Sequence, residues 1–82
     1  MKVLFFASVR ERLGSGECEF TGAALPPDLD ALREALAARS EVYREVLAQP
    51  NLLCAVNQAV VHDNVALEPD DEVAFFPPVT GG

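Results

Sequence analysis

Between Pro26 and Arg39 the chain carries one clear amphipathic helix, and nearly everything around it reads as strand. In PPDLDALREALAAR, Leu29, Leu32, Ala35 and Leu36 recur at helical spacing on a single face. Asp28 stands at the N-cap position, and acidic residues in the first turn complement the helix dipole. One such helix covers only one face of a sheet. The neighbouring strands are therefore expected to form a single sheet with one covered face and one open face. A chain of 82 residues is one domain, with a modest core and no room for an enclosed active-site cavity besides.

The strands can be read on either side of the helix. KVLFFASV, from Lys2 to Val9, is rich in β-branched and aromatic residues, and its continuous apolar character predicts a central strand closed by Arg10, Glu11 and Arg12. Gly14-Ser15-Gly16 marks a turn. ECEFTG alternates, with Cys18 and Phe20 on one side and Glu17, Glu19 and Thr21 on the other, which predicts a half-buried partner strand. After the main helix, Ser40 caps a second, shorter one whose apolar positions are Val42, Val46 and Leu47, ended by Pro50-Asn51. NLLCAVNQAVV reads as strand, tight turn at Asn57-Gln58, and strand. Val65 to Leu67 is expected to form a short strand or bridge, and Glu68 to Asp71 a turn. The last strand, EVAFF, is stopped by Pro77 and Pro78, which cannot donate ladder hydrogen bonds. A hairpin, a crossing helix and further strands, with the first and last strands side by side, make an α+β roll of the β-grasp kind. Residues 1–76 are expected to be the globular domain and 77–82 an extended C-terminal tail.

Charge and cysteine usage narrow the function. Thirteen acidic and six basic side chains give a net charge of −7. The basic residues form no stripe, which argues against nucleic acid as a partner. An acidic surface suits a protein partner with a basic face, or serves solubility alone. Cys18 and Cys54 lie far apart, and the one histidine, His62, has no partner at a telling spacing, so no metal site is expected. Two cysteines among apolar neighbours read as small core residues of a reducing compartment. No stretch is long enough to span a membrane, and the apolar run near the start is short and interrupted by Arg10. The expected location is the cytoplasm, without membrane contact.

Three stretches point further: VLFFASVRERLG at the start, AVNQAVV in the middle and DEVAFFPPVTGG at the end. Together they resemble the small-subunit family of molybdopterin synthase, ubiquitin-like sulfur carriers with a β-grasp fold, and the likeness runs from the first strand to the last residue. Asp70 departs from the family, which usually has glycine before the Asp-Glu pair. The resemblance implies a cycle in which an E1-like adenylyltransferase uses ATP to adenylate the carboxylate of Gly82 and a sulfur donor converts it to a thiocarboxylate. The charged tail then enters the large subunit of the synthase and gives its sulfur to cyclic pyranopterin monophosphate. It also implies a heterotetramer of two large and two small subunits. The chain itself is then a sulfur-donating co-substrate that binds no cofactor.

The residues agree with that chemistry. A terminal carboxylate is an anion at neutral pH and a poor electrophile until an oxygen is exchanged for a leaving group. The chain has neither GxxxxGKS/T nor GxGxxG, so activation falls to a partner. Gly81 and Gly82 carry no side chains, which lets a partner's active site close on the backbone. Six extended residues from Pro77 reach roughly 20 Å. Pro77 and Pro78 stiffen the exit and lower the entropy lost on insertion, and Val79 and Thr80 are placed to add contacts. Alternation puts Phe6 and Phe76 on the open face, joined by Val60, as an apolar docking patch beside the tail, with Arg10 at its flank to meet a partner carboxylate. Three other readings stay open: a carrier of the same fold for thiamine or tRNA thiolation, a modifier joined through Gly82 to lysines, and an interaction module with an inert tail. The Phe-Phe-Pro-Pro approach disfavours the thiamine type.

Overall fold

β5 (Glu72–Phe76) lies at the middle of a five-stranded sheet, and the rest of the fold is arranged around it. In a computed structural model of the chain, which describes residues 1–78, the order across the sheet is β2-β1-β5-β3-β4. β1 (Lys2–Phe5) pairs antiparallel with β2 (Glu17–Glu19) and parallel with β5. β3 (Leu53–Val56) pairs antiparallel with both β5 and β4 (Ala59–Val61). A parallel β1–β5 pair needs a long crossover, and the connection contains the two helices that the sequence predicts.

The main helix, α2 (Leu29–Ala37), is capped as expected: the Asp28 carboxylate accepts from the Ala31 N–H at 2.8 Å. The next, α3 (Glu41–Leu47), is capped by Ser40 Oγ, which accepts from the Tyr43 N–H at 3.2 Å. Leu29, Leu32, Leu36 and Val46 point down onto Val3, Phe5, Cys54, Val73 and Phe75, and these residues form the buried core. The Phe5 ring stacks on Phe75 at 6.3 Å and meets Tyr43 edge-on at 6.1 Å. Val42, expected on the apolar face of α3, is instead 42% exposed, because only one narrow stripe of a seven-residue helix faces the sheet. Val65–Leu67 contributes a single bridge, Asp28 to Ala66.

One expectation fails outright. The first strand ends at Phe5 and not at Val9; Ala7–Leu13 is a helix, α1. Ala7 takes a φ of +52°, which turns the chain out of the sheet. Val9 then enters the core from the helix at 2% exposure, and Leu13 packs beside the core one turn later. Gly14 ends α1 in the left-handed region, its N–H donating to the Arg10 carbonyl at 3.0 Å. Apolar residues at Val9 and Leu13 fit a helix stripe as well as a strand, and the period over so short a run does not discriminate. Arg10 and Arg12 therefore belong to the last turn of a helix, where positive charge suits the dipole.

Candidate functional site

The chain leaves the sheet from its centre. Phe75 sits beside Phe5 on one flank and Cys54 on the other, and Phe76 lies opposite Leu53. Beyond the end of β1, the Phe6 N–H still donates to the Phe75 carbonyl at 3.2 Å. The last strand is thus held on both sides until Pro77, which has no N–H to offer. Pro77 is half-buried and Pro78 exposed. Val79, Thr80, Gly81 and Gly82, the residues expected to enter a partner, lie outside the described residues.

The three helices share one face of the sheet. The other face carries the alternate residues, and the register places Leu4, Ala74, Ala55 and Val60 in one row across β1, β5, β3 and β4. Phe76 and Leu53 form the next row towards the exit. Phe6, extended at φ −122° and ψ 155°, continues the alternation of β1 onto this face. Phe6 is 47% exposed and Val60 51%, and Phe76 is half-buried. Of the predicted patch, Phe6 lies beside Phe76 where the chain leaves the sheet, whereas Val60 shares the face but stands on the edge strand β4, two strands from β5 and one row away. Sequence reasoning missed Leu53 and Ala55, whose place depends on the pairing of β3 with β5. At the far end the strip gives way to charge, with Lys2 between Glu19 and Glu72 and its Nζ 3.8 Å from Glu17.

Arg10 does not stand where the sequence predicts it, at the end of a strand. It projects from α1, and its side chain lies over the Gly16 backbone, where an added Cβ would stand 3.2 Å from Arg10 Nε. Gly16 in turn accepts from the Phe5 N–H at 2.9 Å. Arg10 and Ala7 line one shallow depression with Glu11 and Gly14 to Gly16, next to Phe6 in the chain. The site is thus an apolar strip with a chain exit at its edge, and the depression that Arg10 lines includes no residue of that strip.

Within the described residues nothing resembles a catalytic constellation, and no group of three or more His, Cys, Asp or Glu could hold a metal ion. His62 is exposed, as a loop histidine should be. Both cysteines are free. Burial pushes the Cys54 thiol up to about 11, with the Arg33 charge working weakly against it, although Cys54 lies one strand from the tail's root. Partial burial also raises Cys18, opposed by Arg39 and helped by Glu17. Neither thiol is an effective nucleophile at neutral pH. No helix among the described residues is long and apolar enough to cross a membrane.

A mixed sheet with parallel first and last strands, one crossing helix pair and a central strand that feeds the C-terminal segment defines a ubiquitin-like β-grasp domain. Residues 3–82 match the ThiS family, and the chain belongs to that family. It is 50% identical over 82 residues to a molybdopterin synthase sulfur carrier subunit from Escherichia coli (strain K12), covering 100% of this chain and 99% of that protein. A protein of the same name from Haemophilus influenzae is 40% identical over 86 aligned positions, again covering 100% of this chain and 99% of the other. Among solved structures, a chain in the protein–protein complex of subunits 1 and 2 of molybdopterin-converting factor from Helicobacter pylori superposes with a TM-score of 0.70 at 24% identity. The superposition covers 99% of this chain and 96% of that one.

Proposed function

We propose that this chain is the sulfur carrier of molybdopterin synthesis. The observation that carries the proposal is the full-length, 50% likeness to a molybdopterin synthase sulfur carrier subunit. The geometry at the root of the tail supports it. The Gly82 carboxylate attacks the α-phosphate of ATP in an E1-like adenylyltransferase, pyrophosphate leaves, and an acyl adenylate forms. Sulfide-level sulfur from a donor attacks the acyl carbon, the carbon–sulfur bond forms as AMP leaves, and a thiocarboxylate results. The strip of Leu4, Phe6, Val60 and Phe76 docks on the large subunit of the synthase, and Pro77 and Pro78 aim the tail away from the sheet. Val79 and Thr80 line the entry, while Gly81 and Gly82 reach the acceptor, cyclic pyranopterin monophosphate. The sulfur is transferred there and a carboxylate returns for recharging. The complex of two molybdopterin-converting factor subunits from Helicobacter pylori favours a large-subunit partner of this kind, and two copies of each subunit would form a heterotetramer.

Intact-mass spectrometry tests the first half of the cycle. Incubation with ATP, the activating enzyme and a sulfur source should add the mass difference between sulfur and oxygen, mapped to Gly82. An unchanged mass alongside an enzyme active on another carrier would refute the reading, and lysine-linked conjugates would replace it with a modifier. Deleting Gly81 and Gly82 should abolish molybdopterin formation and leave the melting temperature unchanged. Full activity in the truncated chain would point to an inert tail.

A further inference from the structure

The helix side of the molecule carries a surface for which the sulfur chemistry has no use. Where α2 packs on α3, a groove of about 240 Å3 is lined by Arg33, Glu34, Ala37, Arg44, Leu47 and Ala48. Ala37, Leu47 and Ala48 make its apolar floor, and the two arginines stand over it. The Arg33 guanidinium carbon is 5.4 Å from the centroid of the Phe75 ring. Phe75 is the last residue but one of β5, so Arg33 ties one rim of the groove to the end of the strand that leads to Pro77. The groove opens on the face opposite the strip of Phe6, Val60 and Phe76.

The charges at this groove invert those of the whole molecule. The chain carries a net −7, yet two guanidiniums meet here. The ion pairs among the described residues are Lys2 with Glu17 and Arg12 with Glu45, so Arg33 and Arg44 take part in neither. A guanidinium stacked on an aromatic face keeps its N–H edge free for carboxylates. Glu34 on the same rim disfavours a small free anion such as phosphate, which would meet that carboxylate directly. A peptide can arrange its own charges to avoid it. The net negative charge opposes acidic molecules over the surface as a whole, so an acidic ligand held here is held by these two arginines against the general field.

We propose that the groove between α2 and α3 docks an acidic segment of a protein partner. Its carboxylates pair with Arg33 and Arg44, and an aliphatic side chain lies on Ala37, Leu47 and Ala48. The sheet face remains free, so two partners can bind opposite faces at once.

The test is an amide-shift titration of the full-length, isotope-labelled chain with the peptide Glu-Glu-Leu-Leu-Glu-Glu. Saturable shifts should centre on Arg33, Ala37, Arg44, Leu47 and Ala48 and weaken with added salt. The peptide Lys-Lys-Leu-Leu-Lys-Lys should leave those amides unmoved. Arg33→Gln with Arg44→Gln should weaken binding by roughly tenfold or more, as expected when charge-assisted contacts are removed. Arg44 is exposed on its helix, so Arg44→Gln alone keeps the fold and decides the matter if the double variant does not. Shifts centred on Phe6, Val60 and Phe76, the absence of saturable shifts, or undiminished binding by Arg44→Gln would each overturn the proposal. None of these outcomes depends on whether Gly82 carries sulfur.

Discussion

Ala7 holds a φ of +52°, a backbone state that costs a residue with a Cβ roughly 1 kcal/mol. The strained residue is the one that bends the chain from β1 into α1 and leaves Phe6 turned out beside the tail. Ala7→Gly should therefore raise the unfolding free energy by up to about 1 kcal/mol in urea titrations. Phe6 and Phe75 are close neighbours in space with opposite duties. Phe6→Ala removes a side chain that is 47% exposed, so the stability change should stay within about 0.5 kcal/mol. Affinity for the large subunit, read by calorimetry, should nevertheless fall roughly tenfold or more if Phe6 anchors the interface. Phe75→Ala opens a cavity at a residue with 0% exposure and should cost about 3–5 kcal/mol. That is much of the stability of a domain this size. The Cys54 thiol, buried and pushed up to about 11, should resist alkylation at neutral pH until the chain unfolds.

Among the elements, the β3–β4 turn does more than reverse the chain. Asn57 and Gln58 both take positive φ, 50° and 69°, as a two-residue hairpin with right-handed strand twist requires. The Asn57 N–H donates to the Glu72 carbonyl at 2.8 Å, and its side-chain oxygen accepts from the Glu72 N–H at 3.0 Å. Asp71 completes the clamp by accepting from Asn57 Nδ2 at 2.9 Å and from the Glu68 N–H at 2.7 Å. The hairpin tip thereby fixes the start of β5, the strand whose other end bears the tail. The bond from Glu68 and then that from Asn57 hold the Asp71 carboxyl below the ordinary carboxylate range. A carboxyl lowered in the folded state adds stability above its unfolded value and loses it as pH falls through the folded one. Asp71→Asn should thus unfold more readily than the parent at neutral pH, with the gap closing under acid titration.

For the molecule as a whole, the acidic surface and the apolar strip predict different salt responses. If a basic partner is steered by the net charge of −7, its association rate should fall several-fold, to order of magnitude, from low to physiological salt while dissociation changes little. Stopped-flow kinetics would show this. Much of the globular body was legible in the sequence. Asp28 and Ser40 mark their helices through short side chains that bond the nearby backbone. The turn at Asn57-Gln58 and the stop at Pro77-Pro78 follow from dihedral and donor restrictions carried by one or two residues. Phe6, Val60 and Phe76 were legible because alternation assigns faces wherever a strand runs straight. α1 was not legible, since a run as short as ASVRERL satisfies strand and helix periods alike.

The sequence by itself determined that one helix must cover one side of a sheet, where the caps and turns fall, and that the final strand ends in a proline-stiffened approach to Gly-Gly. These are local matters, decided by residues within a turn or two of one another. Only the tertiary structure decided that β5 lies between β1 and β3, that Leu53 stands opposite Phe76, that Arg10 reaches Gly16 from a helix, and that Arg33 covers Phe75 on the far side from the apolar strip. Each of these rests on register and packing between residues far apart in the chain. Many pairings satisfy the same local pattern, and the burial of one shared core selects among them.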